Sequence, residues 1–137
     1  MILLDASGVA ASRPGRPLFA DVSVTVSTGD RLGVVGLNGC GKSTLLRILA
    51  GAAEPEAGAV RRGKDVRVAV LDQTDDVPGG CTVRESLVAG LDVPSWEAEA
   101  IADRLGLGLV LDAPVDQLSG GQTKRIALTR ALVVPSD

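Results

Sequence analysis

The chain has 137 residues, 45% of them hydrophobic, with 14 Lys and Arg against 17 Asp and Glu, a formal charge of −3. This is a soluble globular composition, long enough for one domain with a buried core. Its acidic balance argues against a general nucleic-acid binder, though a domain docking on RNA through one face remains compatible.

Two cysteines make no secreted disulfide framework, and "MILLDASGVA" lacks the cationic start of a signal peptide. No run approaches the apolar length of a membrane span. A cytoplasmic chain without direct membrane insertion is therefore expected. The arginine-rich, Ala-, Val- and Gly-rich composition fits a GC-rich bacterial genome. Phe19 and Trp96 are the only aromatics, and tyrosine and histidine are absent. The core must be aliphatic.

In chain order, "VSVTVS" (Val22–Ser27) alternates and reads as a half-exposed strand. "RLGVV" (Arg31–Val35) reads as a buried strand feeding a glycine-rich loop. "KSTLLRILAG" follows as a helix, with Gly51 as its C-cap. "AVRRG" and "VRVAVLDQ" are two further strand candidates, the second ending at Gln73. Thr82 and Glu85 stand at capping-box spacing and open one helix; "SWEAEAIADRLG" reads as a second, with Ser95 as N-cap candidate and Gly106 as stop, so residues 82 to about 106 are helical. Ser119 and Gln122 repeat that spacing at the start of a last helix.

The loop "GLNGCGKST" comprises Gly36, Leu37, Asn38, Gly39, Cys40, Gly41, Lys42, Ser43 and Thr44. Residues 36–43 fit G-x-x-x-x-G-K-[ST] without a mismatch. Glycines let the main chain curve closely around an anion, and its N–H groups, backed by a helix N-terminus, form a phosphate cradle. In this arrangement Lys42 reaches the β- and γ-phosphates of ATP and the Ser43 hydroxyl holds Mg²⁺. Cys40, near the helix N-terminus and Lys42, stands where thiol pKa values fall; a structural role is preferred to a redox one.

"LSGGQ" (Leu118–Gln122) opens the last helix. The loop, Gln73 and this motif, in that order, resemble the ATP-binding cassette ATPases over essentially the whole chain. The resemblance implies an α/β P-loop NTPase fold: an ABC-type ATPase core with an antiparallel β subdomain and a helical signature subdomain. It divides the chain into a nucleotide-binding core at 1–73, with the P-loop at 36–43, a helical subdomain at 74–118, and the signature motif with its helix at 118–134.

It also implies that Ser119, Gly120, Gly121 and Gln122 serve the γ-phosphate of ATP held by a second cassette, in the same chain or in a dimer partner. Gln73 is implied to touch Mg²⁺ and the attacking water. "GDRLGVVGLNGCGKSTLLRILAG" and "RPLFADVSVTVSTGDR" look most like the soluble ABC-F proteins, which act on the ribosome and include antibiotic-resistance factors. A transporter's ATPase subunit and a non-catalytic nucleotide-binding module are the alternatives.

Departures from the family pattern qualify the resemblance. The family's adenine-stacking aromatic falls at Arg13, which either stacks on the base as a guanidinium plane or is a solvated loop residue; Phe19 is assigned to the core. Asp72 and Asp75, flanking Gln73, are read as solvated loop charges. After "RALVVPSD" the family continues with the Walker B strand and a switch histidine, so the chain reads as truncated before that strand. The 137-residue chain alone is accordingly expected to release phosphate from ATP at background rate, and Lys42-dependent turnover in a phosphate-release assay would contradict this.

Overall fold

The computed structural model describes residues 1–73 and 76–137. The chain forms two compact units, one of residues 1–68 together with 137, the other of residues 69–136. Asp75 lies outside the described residues.

The first unit is built on two long strands, β1 (Ile2–Arg13) and β2 (Arg16–Ser27). The third strand, β3 (Ala57–Arg62), pairs with the other edge of β1, giving an antiparallel sheet of order β2-β1-β3. The alternating stretch at 22–27 and "AVRRG" thus lie in strands as expected, whereas β1 was not foreseen. Its apolar residues change parity, from Leu4 and Ala6 to Val9 and Ala11, and all four are buried. A strand of strict period two would send one pair to each face. The register shift between Ala6 and Val9 absorbs one extra residue at Gly8, whose φ is +62°. This bulge keeps all four on one side.

Helix α1 (Lys42–Ala50) lays Ile48 against that face, and Leu45, Leu49, Phe19 and Val22 pack around it. Gly51 closes α1 at φ +81°, its N–H donating to the Ile48 carbonyl at 3.0 Å. The Arg62 guanidinium of β3 donates to the carbonyl of Leu49 at 3.0 and 3.2 Å. It occupies the space a Cβ on Gly51 would need, so a side chain there would have to displace the Arg62 guanidinium as well as hold a left-handed backbone.

Two strand expectations need correction. Residues 31–35 and 66–73 lie outside the sheet. Val35 is 91% exposed and Val70 is 54% exposed. A strand is defined by its ladder, and neither segment has a partner strand among the described residues. Apolar sequence supplies the propensity for pairing, but neither run forms a ladder among the described residues.

The second unit is helical. The two helices expected between residues 82 and about 106 are α2 (Val83–Val88) and α3 (Ser95–Arg104). The break carries Gly90, at φ +72°, and Pro94, the N-cap of α3, which makes no side-chain cap bond. Ser95 is therefore the first helical residue and not the cap. Helix α4 (Gly120–Val133) completes the unit. Val83, Leu87, Ala98, Ala102, Leu107, Val115, Ile126 and Val133 form its wholly aliphatic core.

Both capping boxes form as read. At α2, the Glu85 carboxylate accepts from the Thr82 N–H at 2.9 Å and the Thr82 hydroxyl at 3.1 Å. These two bonds, the backbone one first, hold the Glu85 carboxyl below its ordinary 4.5. A lowered folded-state pKa gives stability that is fully present above 4.5 and is lost as pH falls through the folded value. Denaturation of the parent and Glu85→Gln should therefore show a stability difference at pH 6 that shrinks in acid. A difference constant with pH would contradict the assignment.

Candidate functional site

The loop from Gly36 to Ser43 connects the unpaired segment 31–35 to α1. Two glycines give it its shape. Gly39 has φ +80° and nothing within 4 Å of where a Cβ would stand, leaving its face open. Gly41, the N-cap of α1, has φ +106°. A Cβ there would lie 2.9 Å from Phe19 Cδ1 and 3.1 Å from Leu18 Cβ. Strand β2 thus backs the loop through these two side chains. Sequence reading placed Phe19 in the core but missed this second role, since no periodicity links a strand residue to a loop twenty residues on.

Lys42 is half-buried, and its Nζ donates to the carbonyls of Gly36 at 2.7 Å and Leu37 at 2.9 Å. An ammonium carries three donors. Two close the loop on itself, and the third is left for an anion. The Cys40 thiol lies against Gly36, only 2.7 Å from where a Cβ would be, so it helps fill the inside of the turn. Ser43 is exposed in the first turn of α1. The loop therefore fits a polyphosphate: glycines where the backbone must curve, a fixed cation, and a helix N-terminus behind it. From the loop, Mg²⁺ would find the Ser43 hydroxyl as its ligand.

The remaining residues of interest fall in two places. Arg13 ends β1 and pairs in register with Arg16 across the hairpin turn of the first unit. Gln73 and the signature belong to the second unit. Gln73 is exposed, its N–H donating to the Asp72 carboxylate at 2.7 Å. With Leu71, Asp72 and Lys124 it lines a cleft of about 470 Å³. Lys124, on the first turns of α4, carried no sequence signal that would bring it to Gln73.

Ser119 is the N-cap of α4, and its hydroxyl accepts from the Gln122 N–H at 3.3 Å. In return the Gln122 side chain accepts from the Ser119 N–H at 2.9 Å. Gly120 and Gly121 are exposed, with nothing within 4 Å of a built Cβ. This presents a helix start with two glycines on open backbone, a surface that a bulky anion can approach closely.

Arg130 was not singled out from sequence. Its guanidinium donates to the carbonyls of Ser86 and, at 2.9 Å, Ala89, at the C-terminal end of α2. The buried Ser86 hydroxyl in turn donates to the Pro78 carbonyl at 3.0 Å. Arg130 therefore ties the body of the signature helix to α2, fixing where its N-terminus points.

Comparison with known proteins agrees with the motifs. The family model described as ABC transporter matches residues 19–137. The chain is 36% identical to the cytochrome c biogenesis ATP-binding export protein CcmA of Sphingopyxis alaskensis, over 96% of this chain and 68% of that protein. It is 38% identical to the zinc import ATP-binding protein ZnuC of Paramagnetospirillum magneticum, over 97% and 52% respectively. It is 33% identical to the energy-dependent translational throttle protein EttA of Escherichia coli, over 96% of this chain but 25% of that one. The chain thus spans between a quarter and about two thirds of the length of these relatives. With the glycine loop and the signature helix start in the family's order on an α/β P-loop fold, the chain belongs to the ABC transporter family.

Proposed function

We propose that this chain is the nucleotide-binding part of an ATP-binding cassette, taking Mg·ATP on the Gly36–Ser43 loop. In the complete protein, hydrolysis proceeds in a head-to-tail sandwich in which Ser119–Gln122 closes on ATP held by a second cassette. The observation that carries this reading is the Lys42 ammonium, fixed by two carbonyls of a glycine-rich loop at the start of α1. Gln73 is proposed to meet Mg²⁺ and the attacking water. Calorimetric titration tests the binding step: saturable binding of ATP that depends on Mg²⁺ and is competed by ADP is expected, and absence of heat on titration sinks the reading.

The ABC-F reading rests on the resemblance of residues 16–51 and on the likeness to EttA, and implies a ribosomal partner. The second reading, an ATPase subunit serving a membrane transporter, is favoured by the likeness to CcmA and ZnuC over larger shares of their lengths. No helix among the described residues is long and apolar enough to cross a membrane, which is compatible with both. Co-sedimentation of the full-length protein with purified ribosomes, dependent on ATP, supports the first; ATP-independent retention with a membrane permease supports the second.

The position of Cys40 gives a further expectation. A maleimide on its thiol should block nucleotide binding, and bound ATP should slow its labelling. Cys81, whose thiol faces the Pro78 carbonyl in the other unit, should react at the same rate with and without ATP. Indifference of Cys40 to ATP, followed by mass spectrometry, would place the nucleotide elsewhere.

A further inference from the structure

In β1, Leu4 and Ala6 are buried on the side of α1, so Asp5 and Ser7 project from the opposite face of the sheet. The ladder with β3 sets Asp5 opposite Arg61 and Ser7 opposite Ala59. These four residues and Gly58 line a cleft of about 300 Å³ on that face. Its floor is bare, because nothing larger than a methyl group rises from Gly58 or Ala59. A Cβ on Gly58 would strike the backbone of Ser7 and Gly8.

Opposite charges facing one another across a ladder normally attract. Here Asp5 and Arg61 are register partners and yet form no ion pair. The Asp5 carboxylate instead accepts from the Thr25 hydroxyl at 2.7 Å through Oδ1. That bond holds it toward β2, on the far side of β1 from β3, and leaves Oδ2 without a donor among the described residues. The Arg61 guanidinium is exposed and has no hydrogen-bond or ion-pair partner among the described residues. A cation and an anion therefore line one cleft without neutralising each other.

We propose that this cleft binds a small zwitterion of the free amino acid class, with its carboxylate on Arg61 and its ammonium on Asp5. A guanidinium is a planar fork that receives a carboxylate in two parallel hydrogen bonds. The free Asp5 oxygen accepts an ammonium N–H in a second charge-assisted bond. A simple anion meets repulsion from Asp5 and a simple cation from Arg61, so the pair selects a molecule carrying both charges. The volume stands at the small end of ligand clefts, which suits an amino acid. The cleft is open to water, so both contacts are screened and affinity on the order of millimolar is expected. The site lies on the face away from α1 and does not depend on the phosphate-loop reading.

Amide chemical-shift titration of the isotopically labelled 137-residue chain with L-alanine, L-serine and L-leucine tests this. At least one should give saturable shifts centred on Asp5, Ser7, Ala59 and Arg61, with the amides of residues 36–44 unmoved. The N-acetyl derivative of the amino acid that binds lacks the ammonium, and its amide lacks the carboxylate. Each should bind the parent chain about tenfold more weakly. Arg61→Gln should weaken the amino acid about tenfold and leave the amide derivative unchanged. Asp5→Asn, which can still accept from Thr25, should weaken the amino acid likewise and leave the N-acetyl derivative unchanged. Well-dispersed spectra identify folded variants, and the two derivatives test both charges in the parent whatever the variants do. Shifts that never saturate, or that centre elsewhere, with all three amino acids overturn the site. Equal affinity for the amino acid and either derivative overturns the zwitterion, because the cleft then reads one charge at most.

Discussion

Lys42→Ala should weaken Mg·ATP binding by about ten- to a hundredfold, the worth of a charge-assisted hydrogen bond to phosphate. Two effects combine. The variant loses the one donor left over for the anion, and it loses the two bonds to Gly36 and Leu37 that draw the loop closed. Lys42→Arg should not rescue it, because a planar fork cannot occupy the two-carbonyl seat of a compact ammonium. Since the side chain is half-buried and makes loop contacts only, the variant should keep parental circular dichroism. Affinity within twofold of the parent in a folded variant would remove Lys42 from the site.

Gly58→Ala should be the most damaging single change to the first unit. Gly58 has φ +79° in β3, and a Cβ would stand 2.3 Å from the Gly8 carbonyl oxygen and 2.4 Å from that of Ser7. Both are backbone atoms of the β1 bulge, so no side chain can swing aside to relieve the contact. Gly15→Ala is the matched control: its φ of +73° is similar, but nothing lies within 4 Å of a built Cβ. The control should lose about 1–2 kcal/mol for the left-handed backbone alone. Gly58→Ala should lose that and at least about 1–2 kcal/mol more. Urea denaturation measures both, and equal losses would contradict the close approach of β3 to the bulge.

Much of the site was legible because its signals are local. The capping boxes Thr82–Glu85 and Ser119–Gln122 and the Gly51 stop each depend on residues within a few positions, and each formed as read. What the sequence hid depends on distant partners. Strand β1 was masked by its bulge, which breaks the period-two pattern between Ala6 and Val9. The apolar runs at 31–35 and 66–73 have strand propensity, but pairing is a property of two segments, and neither run has a partner strand among the described residues. The separation of α2 from α3 is also legible in "SWEAEAIADRLG", but its cap is not: Pro94, and not Ser95, takes the N-cap position. Arg130 and Lys124 matter through contacts with α2 and with the cleft at Gln73, which no motif encodes.

The central claim is that the backbone of the Gly36–Ser43 loop cradles the phosphates of a nucleotide. Amide chemical-shift mapping of the isotopically labelled 137-residue chain during titration with Mg·ATP addresses it most directly. The account predicts that the largest shifts fall on the amides of residues 36–44, that inorganic tripolyphosphate reproduces them, and that they vanish in Lys42→Ala. Shifts centred elsewhere, with the loop amides unmoved at saturating ATP, would contradict it.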